Sequence, residues 1–165
     1  MPIELVGTQA NSSQKFPPDA EIIFREWAIN TTNITAVCST RVATRLPRNA
    51  TLPFLTFFNN GGTLMDPQSE AAVVGVSLQV DAYAGRWGGA SGTSQPDYAN
   101  AYKLANEVAE SAFKTAQTRV RTATTNTKAI IYGFEIPELP SRIEETETGL
   151  GHYTLSLIMY YRGLD

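Results

Sequence analysis

Few residues in this chain have the types and spacing that catalysis or metal binding requires. Cys38 and His152 are its only cysteine and its only histidine, and they lie far apart in the sequence. A catalytic thiol needs a base, and a histidine can serve as one, but nothing in the sequence brings these two together. Cys38 lies in the run ITAVCSTRV, where a small buried residue is the ordinary interpretation. The pair also matches no metal-binding spacing.

The segment DAYAGRWGGASG, at 81–92, has the order of a phosphate-binding site. In such folds a strand is followed by a glycine-rich loop and a helix N-terminus, whose backbone amides and dipole face the anion. The segment lacks a Gly-Lys-Ser/Thr ending, however, and the spacing of its glycines fits no dinucleotide fingerprint. We therefore interpret it as a surface loop and keep a nucleotide-binding enzyme, using the 85–92 glycine-rich loop, as a minor alternative.

Acidic residues cluster late in the chain, at Glu135, Glu138, Glu144, Glu145 and Glu147. General acid–base catalysis needs two carboxyl groups whose environments separate their pKa values. These residues lie on or beside a polar connector, where we expect solvated and similar carboxylates. We assign no catalytic, cofactor-binding or metal-binding residue, and we predict that the protein is not an enzyme.

Arginines and aromatic residues are the better candidates for contact with partners. Arg45 and Arg48 flank Pro47 in RLPRNATLPFLTFFNNGG, where they form either an anion clamp or exposed charges at a crossing between strands. We prefer exposed arginines that pair with the acids of a neighbour. Arg86 and Trp87 stand together, and both residue types are enriched at interface hot spots. The alternative is that Trp87 folds back onto a sheet edge.

Length, composition and charge limit the class of protein. The 165 residues are 42% hydrophobic and carry a net charge of −3, which predicts one domain over 1–165 with residues 1–18 as an arm or loop. An acidic balance argues against a strong nucleic-acid binder. No stretch approaches the roughly 18 apolar residues of a membrane span, and the N-terminus lacks the features of a signal peptide, so we expect an intracellular product.

Periodicity predicts the order helix, three strands, long helix, two strands. The helices are expected from Asp19 and over about 97–121, and the strands over about 34–44, 51–58, 74–83, 128–136 and 151–162. Segments 63–72 and 137–150 are expected to be polar loops. The simplest packing is an α+β fold, with a mainly antiparallel sheet of about five strands and the helices packed on one face.

Several phrases in this order resemble a known family. They are TRLPRNATLPFLTFF, VSLQVDAYAGR, YANAYKLANEVAESAF and IIYGFEIPELPSRIEETETGLGHYTLSLIMYYR. Over about residues 19–162 the chain resembles the tail terminator (tail completion) proteins of long-tailed bacteriophages with non-contractile tails. The Ser- and Gly-rich segment at 85–96 departs from the family pattern, so no family role is carried onto it.

The resemblance implies a structural virion protein with a helix-covered sheet. Such proteins form a ring, typically hexameric, on the head-proximal end of the tail tube, which they stop from growing. The implied partners are other copies of the chain, the tail tube protein and the head connector or head-completion protein. DNA would pass through the ring without specific binding, and no cofactor or membrane is implied. The implied location is the virion tail, after assembly in the host cytoplasm. Another neck or tail part, such as a head-completion or tail-tube protein, is the alternative.

A ring subunit must expose surface that its neighbours cover. The interface candidates are Arg45, Arg48, Arg86, Trp87, Tyr160 and Tyr161. We expect the two long polar segments to reach toward the tube or the lumen, and the acidic candidates on them are Asp66, Glu70, Glu144 and Glu145.

Overall fold

The fold consists of one large sheet, a small hairpin and three helices. A computed structural model describes residues 18–65, 72–88, 94–121, 128–144 and 148–164, without the side chains of 87, 88 and 94. The helices are α1 (Ala20–Ile29), α2 (Thr32–Cys38) and α3 (Tyr98–Lys114). The strands are β1 (Val42–Ala43), β2 (Phe54–Leu64), β3 (Val74–Ala84), β4 (Arg86–Gly88), β5 (Ser94–Pro96), β6 (Thr118–Arg121), β7 (Lys128–Ile143) and β8 (Gly151–Leu164). Within the described ranges, no helix combines the length and apolar character that crossing a membrane requires.

The large sheet has the strand order β1-β2-β3-β8-β7-β6, while β4 and β5 pair separately. The expected α+β class and the mainly antiparallel pairing are confirmed. The expected count of about five strands was too low, and the sheet is mixed because β1 runs parallel to β2. The sixth strand is β6, which the sequence analysis had assigned to the end of a helix.

Aspartate side chains cap the first and third helices where the sequence predicts their starts. Asp19 accepts a hydrogen bond from the amide of Glu21 at 2.9 Å, and Asp97 accepts one from the amide of Asn100 at 3.1 Å. Each bond satisfies a donor that has no partner within the helix. The start of α3 also packs closely on β8, because a Cβ at Gly151 would overlap the backbone of Asp97.

The core lies between the helices and one face of the large sheet. Trp27 is 4% exposed, and its Nε1 donates to Thr115 Oγ1 at 3.1 Å. The fully buried side chains include Phe24 of α1, Ile34 of α2, Leu104 of α3, and Leu78 and Leu157 of the sheet. The strands predicted over about 51–58, 74–83 and 151–162 are confirmed as parts of β2, β3 and β8, and alternate residues of each belong to this core.

The expected strand over 34–44 was wrong. Residues 32–38 form α2, and only Val42 and Ala43 are extended. β-branched residues favour strands only weakly, and here the packing decides: Ile34 and Cys38, one helical turn apart, are both fully buried.

The long helix was predicted to continue to 121, but it ends at Lys114. Thr115 is extended, Gln117 has a positive φ of 48°, and β6 begins at Thr118. The apolar spacing that continued through Val120 was misleading, because Val120 enters the core from a strand. Two aromatic residues of α3, Tyr102 and Phe113, face solvent.

The predicted loops at 63–72 and 137–150 were partly wrong. Strand β2 continues to Leu64, and β7 runs through two prolines to Ile143. Its register shifts twice between Glu135 and Ser141, around Pro137 and Pro140. A strand tolerates proline at such irregularities because no ladder hydrogen bond is lost there.

Candidate functional site

The face of the large sheet opposite the core is the candidate functional surface. The described helices all contribute to the core, so we call the opposite face the open face. It is formed by Phe54, Thr56 and Phe58 of β2, by Gly75, Ser77, Gln79, Asp81 and Tyr83 of β3, and by His152, Thr154, Ser156, Ile158, Tyr160 and Arg162 of β8. Its residue types are therefore those of a hydrated or partner-covered surface rather than those of a core.

A buried ionisable pair lies at one end of the open face. His152 Nε2 is 3.0 Å from Asp81 Oδ1, and each residue is only 7% exposed. Tyr83 stacks on the imidazole, with ring centroids 4.3 Å apart and an interplanar angle of 23°. Gln79 Nε2 contacts both carboxylate oxygens, at 3.4 and 3.3 Å. The pair thus has the hydrogen bonds that buried charges need.

The surroundings of Asp81 favour its charged form. Burial alone would raise the pKa of this carboxyl, but hydrogen bonds from His152 and Thr154, the charge of His152 and a bond from Gln79 together lower the pKa below its ordinary value of 3.8. The Thr154 hydroxyl also lies 3.4 Å from the carbonyl of Val80, to which it donates. This network stabilises the sheet, and its members are already hydrogen-bonded to one another.

Tyr160 lies farther along the open face, beside an acidic residue. Its ring covers Gly75 on the neighbouring strand, where an added Cβ would overlap it. Partial burial and a hydrogen bond to Glu135 both raise the pKa of Tyr160. On the same side of β7, Glu138 Oε2 accepts from Ser156 Oγ at 3.1 Å. We call Glu135 and Glu138 the acidic strip.

Apolar side chains line the outer end of β2. Phe58 is 40% exposed, Leu64 36% and Met65 58%, and we call these three residues the apolar margin. Among the described strands, β1 pairs with the outer side of β2 only at Leu55 and Thr56, and farther along the amide of Asn59 donates to Glu21 Oε1 at 3.1 Å. A strand edge with little pairing beside exposed apolar surface commonly marks an interaction site.

The predicted interface candidates do not form one cluster. Arg45 and Arg48 are exposed between β1 and β2. Arg86 donates to the carbonyl of Thr148 at 3.4 Å, and its guanidinium lies against Gly149. Trp87 belongs to β4, but the structure does not describe its side chain. The anion clamp and the hot-spot interpretation both stay predictions.

The two adjacent tyrosines among the candidates have opposite positions. Tyr160 is half-buried on the open face, whereas Tyr161 is 2% exposed and its hydroxyl donates to the carbonyl of Pro18 at 2.5 Å. A neighbouring subunit could not reach Tyr161 in this fold. Glu144 is exposed and pairs with Arg142 at 3.0 Å. The other acidic candidates, Asp66, Glu70 and Glu145, lie outside the described residues.

The features considered for catalysis or ligand binding lie apart. Cys38 is fully buried in the core, and burial raises the pKa of its thiol to about 11, whereas His152 is on the opposite side of the sheet. The glycine-rich segment begins and ends in the β4–β5 hairpin, and the Asp97 carboxylate caps the helix that follows. That negative charge at the helix N-terminus disfavours a phosphate there. In the part of the chain that is described, no three His, Cys, Asp or Glu residues cluster as metal ligands would.

The sequence analysis missed the Asp81–His152 pair. The alternation of β3 and β8 placed each residue on the polar face of its strand, but two strands become neighbours with a given register only in the folded sheet. In that register Tyr83 lies opposite His152, and Asp81 lies opposite Thr154.

Comparison with solved structures finds a similar fold in a virion. A chain from the structure described as "Virion of native gene transfer agent (GTA) particle" matches with a TM-score of 0.50 and 11% sequence identity. The match covers 89% of this chain and 94% of that chain. No family model and no curated protein sequence matches. At this identity, what the two chains share is the fold.

Proposed function

We propose that this protein is a structural component of a phage-like virion, and that it forms a ring on the head-proximal end of the tail tube. The similarity to a gene transfer agent virion chain carries the proposal, because it extends over nearly the whole of both chains. The resemblance of residues 19–162 to tail terminator proteins supports the finer role. In that role the chain acts by shape and contact, without catalysis.

Two exposed regions provide surfaces of the kind that a ring requires. A ring is closed by heterologous contacts, in which one patch of a subunit meets a different patch of the next. The apolar margin lies at the β2 edge of the sheet, and on α3 Phe113 is 81% exposed and Tyr102 47% exposed. Aromatic residues and Met are the types enriched in protein interfaces, so these two regions are our candidates for the two patches.

Assembly of the purified protein tests this proposal. We expect negative-stain images of closed rings and a mass by light scattering that is a small multiple of 18.0 kDa. Added to growing tail tubes, the protein should bind one end and stop elongation. A Phe58→Ser/Met65→Ser variant should lose ring formation and keep its fold. Leu139→Ser/Ile143→Ser, at exposed apolar residues of β7, serves as the matched control.

The alternatives give different results in the same experiment. Open tubes formed by the protein alone would favour a tail-tube protein. Binding to heads but not to tubes would favour a head-completion protein. A monomer that leaves both heads and tubes unaffected would overturn the proposal.

A further inference from the structure

Four basic residues meet at one corner of the open face. In the ladder, Arg119 of β6 lies opposite Ile130 of β7, which lies opposite Arg162 of β8. In the same way Arg121 lies opposite Lys128. Since directly opposed residues point to the same face and Arg162 is on the open face, all four cations are on that face. We call Arg119, Arg121, Lys128 and Arg162 the basic corner.

The basic corner is accessible and partly rigid. Arg119, Arg121 and Lys128 are exposed, and Arg162 is half-buried with its guanidinium 5.9 Å from the centroid of the Tyr132 ring. No acceptor among the described residues reaches Arg162 Nε, which is buried. Because the four residues belong to paired strands, their backbone positions keep a fixed spacing.

Beside the corner is a polar cleft of about 450 Å³, between the end of α1 and β6. Its lining includes Asn30, Thr31, Thr118 and the two arginines of β6. Asn30 Nδ2 already donates to the carbonyl of Glu26, and Thr31 Oγ1 donates to the carbonyl of Trp27, each at 2.7 Å. Glu26 also lines it and pairs with Arg25 at 3.5 Å. The cleft lies on the helix side of β6, across the sheet edge from the open face, so the basic corner is defined by its four cations.

We propose that the basic corner binds the phosphate backbone of double-stranded DNA, without sequence preference. Three adjacent strands span about 10 Å, and duplex DNA carries one charge per about 1.7 Å of its axis, so several phosphates can face the corner together. Arginine suits phosphate because its planar fork donates two parallel hydrogen bonds. This inference goes beyond the proposed function, because neither ring formation nor tube capping requires it.

A second copy of the chain is a weaker candidate for the same surface. Its complementary patch on the open face would be the acidic strip. Glu138 already accepts from Ser156, and Glu135 is hydrogen-bonded to Tyr160. Along β7 the strip begins about 16 Å from the position of Ile130, which is beyond the Debye length of about 8 Å at physiological salt. The strip therefore does not neutralise the corner within one subunit, and each of its carboxylates already has a hydrogen-bonded partner.

Fluorescence anisotropy with a short labelled duplex, measured across a range of salt concentrations, tests the proposal. Four phosphate contacts give a slope of log K against log salt of roughly −3.6. The variant Arg119→Gln/Arg121→Gln should make the slope shallower, at roughly −1.8. The control Lys103→Gln/Lys114→Gln makes the same change in net charge at exposed lysines of α3, and it should leave the slope unchanged. Thermal melts and light scattering of both variants measure folding and assembly separately.

Several outcomes would overturn the proposal. One is a slope near zero for the unmodified protein, and another is an equal loss of slope in both variants, which would indicate an effect of net charge alone. Displacement of DNA by an equal concentration of inorganic phosphate would indicate a single-anion site instead. Weaker self-association of the corner variant with unchanged DNA binding would assign the corner to contacts between copies.

Discussion

The two faces of the large sheet are made by alternate residues of the same strands, but different forces hold them. On the core face Val80 and Leu157 are completely removed from water. On the open face Asp81 is 7% exposed and is held by hydrogen bonds to His152 and Gln79. The comparison teaches that burial alone does not distinguish the faces, since both contain buried groups. The core face is stabilised by apolar contact, and the open face by the pairing of polar groups.

Truncating two neighbouring residues on opposite faces of the sheet should give the largest difference in the free energy of unfolding. Leu157→Ala removes a side chain that is 0% exposed and leaves a cavity in the core. We expect it to lower the free energy of unfolding by about 2–5 kcal/mol. Ile158→Ala, one position along β8 on the half-buried open face, should cost about 1 kcal/mol or less. Urea denaturation measures both, and equal losses would mean that the open face is packed as tightly as the core.

Removing the charge of Asp81 should have the next largest effect on the free energy of unfolding. Asp81→Asn keeps the side-chain shape but weakens the buried hydrogen bond to His152, and we expect a loss of about 1–3 kcal/mol. Ser156→Ala removes an exposed hydrogen bond from the same face, and it should change the free energy of unfolding by no more than about 0.5 kcal/mol. A double-mutant cycle with His152→Gln should give a coupling of about 0.5–3 kcal/mol. Additive single effects would show that the pair does not act as a unit.

Acid should weaken the open face through the same pair. The folded state lowers the pKa of Asp81 below 3.8, so its contribution to stability is complete above that value and is lost as the pH falls below it. Histidines in the unfolded chain are already protonated below about pH 5. Between about pH 5 and about pH 2, the stability difference between the unmodified protein and Asp81→Asn should therefore shrink. A difference that stays constant over this range would contradict the assignment.

The sequence predicted the core face better than it predicted the elements around it. The alternation of β3 and β8 and the starts of α1 and α3 near Asp19 and Asp97 are local signals, and they were correct. Helix α2 and strand β6 were missed because their residues have the opposite local preference. Thr35 and Val37 favour a strand, and Val120 continued a helical spacing, but contacts distant in sequence determine both segments.

The candidate surfaces depend even more on pairings that are distant in sequence. The basic corner requires β6 to lie at the edge beside β7, and the buried pair requires β3 to lie beside β8. No local pattern contains that order. The exposed arginines at Arg45 and Arg48 could be predicted, because a proline-marked crossing between strands is itself a local signal. Alternation along β8 already placed Tyr161 on the same face as Leu157 and Met159, which is the buried face, and so separated it from Tyr160.

The smallest effect is expected at the Arg142–Glu144 ion pair. Its nitrogen and oxygen are 3.0 Å apart, but the side chains are 49% and 77% exposed, and exposed pairs contribute little because water and salt screen them. Arg142 also lies over the ring of Tyr98, 3.9 Å from its centroid, so it keeps a partner when the carboxylate is lost. We expect Glu144→Gln to change the free energy of unfolding by less than about 0.5 kcal/mol.

Arg142→Ala should cost about 1 kcal/mol, since it removes the cation–π contact as well. Urea denaturation at low and high salt distinguishes the two, because only the ion pair is sensitive to salt. A large loss in Glu144→Gln would mean that a solvated pair contributes as much as the buried pair of Asp81, and the contrast between an exposed and a buried charge in this sheet would fail.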